Sequence, residues 1–294
     1  MSEISREIST QPQTWRRAAE VAPSHAALLP AAGSRVAVIG CGTSLYMAQS
    51  FAALRDAYGQ GDTDAFAASE FPTGRRYDLV IALSRSGTTT EVARTLALLP
   101  PEVPTLAVVA VAGTPVARAA HSTIVLDFAD ERSVVQTRFA TTALALFRSH
   151  LGDDVEAAAR DAEQALSAPL PLPVDVHRQF VFLGRGWTVG LAHEAALKLR
   201  EAAIAWSESY PAMEYRHGPI SVADAQTAVW ALGDVDPTVL EDAAATGAAV
   251  VHGDLDAMAE LVIAQRFAVA MAESRGRDPD RPRNLTRSVV LADG

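Results

Sequence analysis

The sequence predicts an α/β fold with two successive parallel sheets, each flanked by helices. Short apolar runs rich in β-branched residues alternate with longer Ala/Leu-rich stretches of helical period, as expected where helices cover a parallel sheet. The alternation occurs twice, and each half opens with a strand, a Gly-x-Gly turn and Ser or Thr, in VAVIGCGTS (36–44) and FVFLGRGWT (180–188). Between the halves, SAPLPLP (167–173) holds three prolines in seven residues, which suits a linker.

The elements are expected in the following order. The first half is predicted to contain buried strands at residues 35–39, 77–83, 105–109 and 122–126. Helices are predicted between and after them at residues 45–58, 88–99 and 137–149. The second half is predicted to contain a strand at 180–183, a helix at 189–203 and further strands at 227–232 and 248–251. We therefore expect a first domain with an N-terminal helix at 1–166, a linker at 167–177, and a second domain with a C-terminal tail at 178–294.

The composition indicates a globular protein without nucleic-acid or membrane partners. The chain of 294 residues is 49% apolar and 20% charged, and its formal charge of -10 disfavours binding to a nucleic-acid backbone. No apolar run reaches the roughly 18 residues of a membrane span. The polar N-terminus holds no signal-peptide core, and the lone Cys41 has no internal disulfide partner. A cytoplasmic location is expected, with no metal and no other cofactor.

Two polar turns are candidate anion sites. A strand followed by Gly-x-Gly-Thr and a helix presents backbone N–H groups at the positive end of the helix dipole. For the first turn the alternative is that Gly40 and Gly42 only permit a tight turn, and GCGTSLY lacks the third glycine of a dinucleotide fingerprint. The second turn, SRSGTT (84–89), places hydroxyls and a guanidinium at the carboxyl end of a predicted parallel strand, where ligands bind. A helix cap with spare polar residues is its alternative reading.

A set of motifs along the chain points to one family. They are CGTS (41–44), SRSGTT (84–89), TRFATT (137–142), FLGRG (182–186), HEAALKLREA (193–202) and ESYPAMEYRHGP (208–219). Together they resemble the sugar isomerase (SIS) domains of the isomerase half of glucosamine-6-phosphate synthase and of its stand-alone isomerase and deaminase relatives. The resemblance extends to PRNLTRSV (282–289) and covers nearly the whole chain. It implies two tandem SIS domains, each a three-layer α/β arrangement.

The resemblance implies a site for a phosphorylated amino sugar. The residues that it assigns to substrate and phosphate binding are Thr43, Ser44, Ser84, Arg85, Ser86, Thr89, Val134 and Glu208. Position 85 is usually glutamine in the synthase, so an additional positive charge is expected near the ligand. The synthase's glutaminase domain has no counterpart here, and ammonia from glutamine is not expected.

The resemblance also assigns the proton-transfer residues. Glu194, Lys198 and Glu201 are spaced to share one helix face, for which an exposed face with i,i+4 ion pairs is the alternative. By resemblance, Glu201 moves protons between sugar carbons and His217 opens the sugar ring. Both side chains suit acid–base catalysis. The ring-opening histidine of the synthase comes from a neighbouring subunit, so the resemblance implies a homodimer with shared sites. The resemblance assigns no role to His193, which is expected at the surface.

One departure from the family pattern concerns the reaction. The synthase carries a lysine near its C-terminus that forms a Schiff base, and Arg287 stands in its place. A guanidinium stays protonated and does not form an imine; we expect Arg287 to help stabilise an enolate instead. Three outcomes stay open: elimination from N-acetylglucosamine 6-phosphate, deamination or isomerisation of glucosamine 6-phosphate, and phosphosugar sensing without catalysis. Elimination is our leading hypothesis, because an N-acyl group blocks imine hydrolysis.

Overall fold

The structure is a computed structural model that describes residues 1–291. Within them, the chain forms an α/β fold with two parallel sheets flanked by helices, as the sequence predicts. The helices are α1 (Glu3–Ser9), α2 (Gln11–Val21), α3 (Thr43–Ala57), α4 (Thr90–Leu98), α5 (Pro115–Ala119), α6 (Arg138–His150), α7 (Val155–Ser167), α8 (Thr188–Lys198), α9 (Pro237–Ala245) and α10 (Ala257–Ser274). The strands are β1 (Val36–Gly40), β2 (Thr63–Ala67), β3 (Leu79–Ser84), β4 (Thr105–Val109), β5 (Ser122–Val125), β6 (Gln179–Gly184), β7 (Trp206–Pro211), β8 (Thr227–Leu232) and β9 (Ala249–Val251).

One compact unit, which we call the first-sheet unit, contains Gln13–Val155 and the described residues from Thr286 onward. Its strands run parallel in the order β2-β1-β3-β4-β5. β1 and β4 are buried along their whole length, as expected of parallel strands with helices on both faces. The strand order reverses between β1 and β3, so their carboxyl ends form the topological switch point at which such sheets bind ligands.

The other compact unit, the second-sheet unit, contains Met1–Pro12 and Glu156–Leu285. Its strands run parallel in the order β7-β6-β8-β9. The apolar α10 lies against α8 and is capped by Asp256, whose side chain accepts a hydrogen bond from the backbone N–H of Met258 at 2.9 Å. This unit carries the expected proton-transfer residues, with Glu201 in the turn that follows α8 and His217 in the segment that follows β7.

The division of the chain differs from the expected domain boundaries at both ends. The first residues join the second-sheet unit because α1 buries Ile4 and Ile8 there, and because Asp280 accepts the backbone N–H of Glu3 at 2.7 Å and of Ile4 at 2.9 Å. The last described residues join the first-sheet unit. Residues 167–177, expected as a linker, fall within the residue range of the second-sheet unit.

The sequence analysis missed two strands, the helices α5, α7, α9 and α10, and one helix irregularity. β2 is buried only at Thr63, and the sequence of β7, WSESYP, is polar, so neither has the apolar run of a central strand. The helix expected at 189–203 is α8 followed by a π-helical turn at Leu199–Ala203. That turn ends at Ile204, whose backbone is left-handed with φ 50° and ψ 43°.

Candidate functional site

The turn between β1 and α3 brings the helix start close to the end of the strand. A Cβ on Gly40 would lie 2.8 Å from the carbonyl carbon of Ser44, so only glycine permits this approach. Gly42 has φ 54° and precedes the helix, again a glycine conformation. Thr43 and Ser44, the first two residues of α3, are 4% and 3% exposed. The turn therefore places two hydroxyls and the start of a helix at the carboxyl edge of the first sheet.

The turn between β3 and α4 adds further hydroxyls at the same edge. Gly87 has φ +64°, and its backbone N–H donates to Ser84 Oγ at 3.2 Å. Ser86 Oγ accepts from Thr88 twice, from the backbone N–H at 3.2 Å and from Oγ1 at 3.0 Å. Thr89 stands at the cap position of α4, and its side chain makes no capping bond. Because β1 pairs with β3, both turns lie at the switch point.

Arg85 is engaged by backbone carbonyls. Its side chain is 2% exposed. Nη1 donates to the carbonyls of Ser133 at 2.8 Å and Val134 at 3.4 Å, and Nη2 donates to the carbonyl of Arg287 at 2.6 Å. The guanidinium thus joins the second turn to the loop of Val134 and to the C-terminal segment.

The start of α6 already has an anionic cap. Glu131 Oε1 accepts the backbone N–H groups of Thr137 and Arg138, both at 2.7 Å, and the Thr137 hydroxyl at 2.9 Å. Glu131 is 1% exposed. A carboxylate is stabilised at a helix N-terminus. The Glu131 carboxylate therefore occupies the position at the start of α6 where a ligand anion could otherwise bind. Sequence reasoning missed this cap, because Glu131 lies seven residues before the first residue of α6, outside the usual capping positions.

Arg287 lies on the C-terminal segment and pairs with an acid. Its Nη2 lies 2.5 Å from Asp130 Oδ1, with side-chain exposures of 42% and 38%. The carbonyl of the same residue accepts the bond from Arg85. The structure therefore gives the Arg287 side chain a protein partner, whereas the sequence assigned it to an enolate.

Lys198 forms ion pairs with two carboxylates. Its Nζ lies 3.3 Å from Glu194 Oε1 and 2.5 Å from Glu201 Oε2. The side chains of Lys198 and Glu194 are each 1% exposed, whereas that of Glu201 is 19% exposed. The alternative of a wholly exposed helix face is therefore wrong. Burial alone would lower the pKa of Lys198, but the Glu194 and Glu201 carboxylates outweigh it and raise that pKa.

Lys198 is also the only lysine in the sequence. Sequence analysis noted its spacing without assigning it a role. Its position on the last residue of α8 places Glu201 in the π-helical turn that follows. π-Helical turns occur frequently at functional sites, and a β-branched residue such as Ile204 in the left-handed region is strained.

His217 and Glu208 lie on the segment after this turn. His217 is exposed, follows a 3₁₀ turn at Ala212–Arg216, and donates its backbone N–H to the Glu214 carbonyl at 3.0 Å. Within residues 1–291 its ring has no hydrogen-bond partner. Glu208 on β7 accepts from Trp206 Nε1 at 3.3 Å and from the Tyr210 hydroxyl at 3.2 Å.

Two tyrosines near Glu208, Tyr210 and Tyr215, have raised pKa values. Burial, with smaller contributions from Glu208 and Tyr210, raises the pKa of Tyr215 to about 12. Burial and the Glu208 carboxylate likewise raise the pKa of Tyr210. Of the two phenols, that of Tyr210 donates a hydrogen bond to Glu208.

His193 is half-buried, so the expected surface position is wrong. Its Nδ1 lies 2.8 Å from Ser209 Oγ. Burial, together with the nearby Arg200 charge, lowers the pKa of His193.

The predicted site residues fall into two groups. The phosphate candidates and Arg287 belong to the first-sheet unit, and Glu201, Glu208 and His217 belong to the second-sheet unit. Among residues 1–291, no cluster of three or more His, Cys, Asp or Glu side chains is arranged to hold a metal ion. No helix in that range has the length and apolar character to cross a membrane.

Comparison with known families identifies the first sheet. Residues 29–148 match the family model of the SIS domain. This stretch contains β1 to β5 and both polar turns. The chain contains a SIS domain. The carboxyl edge of that SIS domain holds Ser44, Ser84 and Ser86.

Relatives of the SIS domain extend the likeness to most of the chain. The glutamine–fructose-6-phosphate aminotransferase (isomerizing) of Thermotoga maritima is 26% identical over 314 residues, covering 87% of this chain and 52% of that protein. The protein of the same name from Thermus thermophilus is 28% identical over 322 residues, covering 90% and 53%. The chain thus spans about half the length of these curated relatives.

Solved structures share the fold along the whole chain. Glucosamine-6-phosphate deaminase from Thermotoga maritima aligns with a TM-score of 0.87 at 24% identity, covering 99% of this chain and 100% of that one. The C-terminal domain of glucosamine-fructose-6-phosphate aminotransferase from Francisella tularensis aligns with a TM-score of 0.82 at 20% identity, covering 95% and 97%. Identities this low establish the fold alone.

Proposed function

We propose that this SIS-domain protein is an enzyme that opens the ring of an amino-sugar 6-phosphate and abstracts its C2 proton. The observation that carries the proposal is the partly exposed Glu201 carboxylate, held 2.5 Å from the buried Lys198 ammonium. A carboxylate in a fixed position is a suitable general base. Ser44, Ser84, Ser86 and Thr89 would bind the phosphate. We further propose that the second sheet is a second SIS domain.

The reaction we favour is elimination of water from N-acetylglucosamine 6-phosphate. Ring opening gives the aldehyde, with His217 as the acid–base group. Glu201 then removes the C2 proton, the C2–H electrons form a C2–C3 double bond, and the C3 hydroxyl leaves with a proton as water. The product is an unsaturated aldehyde phosphate that is lighter by one water, and no oxidant or reductant is needed.

The side chains that could supply an amine favour elimination over chemistry through a lysine imine. Lys198 is the only lysine, and its ammonium is buried, ion-paired and of raised pKa. Position 287, where the resemblance places the imine-forming lysine, holds a guanidinium paired with Asp130. Capture of a ketose through a lysine imine is therefore disfavoured, whereas elimination requires no amine.

Deamination or isomerisation of glucosamine 6-phosphate is the second candidate. It is favoured by the fold likeness to the Thermotoga maritima glucosamine-6-phosphate deaminase, which aligns over its full length. The first steps would be the same, with reprotonation at C1 in place of loss of the C3 hydroxyl. For deamination, water would then hydrolyse the resulting C2 imine to fructose 6-phosphate and ammonia.

The test is to incubate the protein with each sugar phosphate and to analyse the products by mass spectrometry. We expect a product one water lighter from N-acetylglucosamine 6-phosphate, with ultraviolet absorbance of the conjugated aldehyde. Ammonia or fructose 6-phosphate from glucosamine 6-phosphate, without that product, would instead establish the second candidate. Glu201→Gln should lower the rate by about 100-fold or more, whereas the exposed Glu241→Gln on α9 should match the wild type.

The alternative to an enzyme is a protein that senses a phosphosugar without catalysis. If Glu201→Gln binds the sugar phosphate as the wild type does, and neither protein exchanges the C2 proton with deuterated solvent, the enzyme proposal is refuted. Exchange by the wild type alone supports it.

We also propose a homodimer in which His217 serves the partner's site. This is supported by the exposed His217 ring, which has no hydrogen-bond partner within residues 1–291. A mixture of Glu201→Gln and His217→Asn subunits, refolded together, would then contain one intact site per mixed dimer. Recovery of activity on mixing two inactive variants supports the shared site, and no recovery excludes it.

A further inference from the structure

The C-terminal segment 286–291 is bonded along the second polar turn. The Val289 carbonyl accepts the backbone N–H of Thr90 at 3.2 Å, and Thr90 Oγ1 accepts the backbone N–H of Leu291 at 3.0 Å. The Ser288 hydroxyl lies 2.9 Å from Thr88 Oγ1. Segment and turn belong to the same compact unit. The segment therefore runs beside the end of the turn and the start of α4.

The buried Arg85 holds this segment at its start. One guanidinium reaches three carbonyls, two in the loop of Ser133 and Val134 and one at Arg287. A planar fork of five N–H donors can do this, whereas a glutamine amide has two N–H donors. The arginine at this position therefore fixes the residue before Ser288.

Ser288 begins a directed chain of hydroxyl hydrogen bonds. Thr88 Oγ1 donates its single proton to Ser86 Oγ, so the Ser288 hydroxyl must be the donor to Thr88. Ser86 Oγ also accepts the Thr88 backbone N–H. With both acceptor positions of Ser86 in use, its own proton is left to donate to a ligand. Such chains strengthen their terminal donor.

We propose that Arg85 and Ser288 are positioning residues of the phosphate site, acting through the C-terminal segment rather than by contact with phosphate. Arg85 fixes the carbonyl of residue 287, and Ser288, through Thr88, directs the Ser86 proton toward a phosphate oxygen. The part that concerns phosphate rests on the proposed function. The part that concerns the segment does not, because it can be measured without ligand.

The first experiment is hydrogen–deuterium exchange of the ligand-free protein. Arg85→Gln should speed exchange at the Thr90 and Leu291 amides by about tenfold, because a hydrogen bond from a charged group is lost. Arg76→Gln, an exposed arginine before β3, is the matched control and should leave these amides unchanged. Equal protection in Arg85→Gln and wild type overturns the role of Arg85.

The second experiment measures binding of inorganic phosphate and of N-acetylglucosamine 6-phosphate by calorimetry. Ser288→Ala should weaken both about fivefold, the effect of one neutral hydrogen bond, with kcat within about twofold of wild type. Ser288→Thr, which keeps the hydroxyl, should restore both affinities. If Ser288→Ala weakens binding of the sugar phosphate but leaves binding of inorganic phosphate unchanged, the proposed hydroxyl chain is refuted. If the wild type binds neither ligand, both the phosphate site and the proposed role of Ser288 are refuted. The proposed role of Arg85 is then tested by the hydrogen–deuterium exchange experiment alone.

Discussion

Lys198 links the interior of the second-sheet unit to its partly exposed carboxylate, with Glu194 Oε1 3.3 Å away on the inner side and Glu201 Oε2 2.5 Å away. The buried Glu194–Lys198 pair and the partly exposed Glu201 depend on one ammonium. Removing that ammonium would change both stability and the position of the proposed base.

Lys198→Met should destabilise the protein by about 3–5 kcal/mol, because it leaves the Glu194 carboxylate buried without its cation. Urea denaturation measures this free energy of unfolding. The double variant Glu194→Gln/Lys198→Met should recover more than half of the loss. A loss below about 1 kcal/mol in the single variant would show that the pair is not buried as described.

Borohydride reduction in the presence of fructose 6-phosphate should leave no sugar adduct on Lys198 of the wild type. This lysine is the only one in the sequence and is buried and ion-paired, so its side chain offers no neutral amine to form an imine, and peptide mapping separates it from the exposed α-amine of Met1. Intact-mass and peptide mass spectrometry provide the measurement. Arg287→Lys supplies an amine at the tail position and is the positive control. A wild-type adduct on Lys198 would contradict the proposed exclusion of imine chemistry.

Gly87→Ala should destabilise the protein by about 2 kcal/mol or more and weaken phosphate binding. A Cβ there would lie 2.0 Å from Thr114 Oγ1, at a φ of +64° that disfavours any side chain. Chemical denaturation and calorimetry measure the two effects. Gly74→Ala is the matched control, since nothing lies within 4 Å of its added Cβ. Equal effects of the two substitutions would refute the claim that a Cβ at position 87 clashes with Thr114.

His193 should make the protein less stable at mildly acidic pH. Burial lowers its folded-state pKa, so the unfolded chain binds a proton near pH 6.5 while the folded chain resists it. The stabilising contribution is present above pH 6.5 and is lost as pH falls through the folded-state pKa. Urea midpoints between pH 7.5 and 5 should fall more steeply for wild type than for His193→Gln; parallel slopes would assign the loss to other groups.

The sequence predicted central features of the fold because they leave local patterns. β1, β4 and β8 are fully buried, so their apolar runs are unbroken and readable. β2 and β7 lie at sheet edges and lack such runs, so only pairing with β1 and β6 reveals them. Which unit the termini join depends on distant contacts, such as Asp280 with the start of α1.

The candidate site was predictable where it follows a motif. The two glycine turns were placed correctly at neighbouring strand ends, since parallel strands align their carboxyl ends. The direction of long side chains was not predictable. Arg85 binds carbonyls of residues 133 and 287, and Arg287 pairs with Asp130, because acceptors distant in the sequence decide where a guanidinium goes.

The left-handed Ile204 has a consequence for how this protein would evolve in the laboratory. The conformation costs about 1–3 kcal/mol in a β-branched residue, and glycine would adopt it without strain. Selection for heat resistance alone should therefore reach position 204 early. Selection for turnover should keep the isoleucine if the strained turn is what aims Glu201, because stability and activity often oppose each other at such positions.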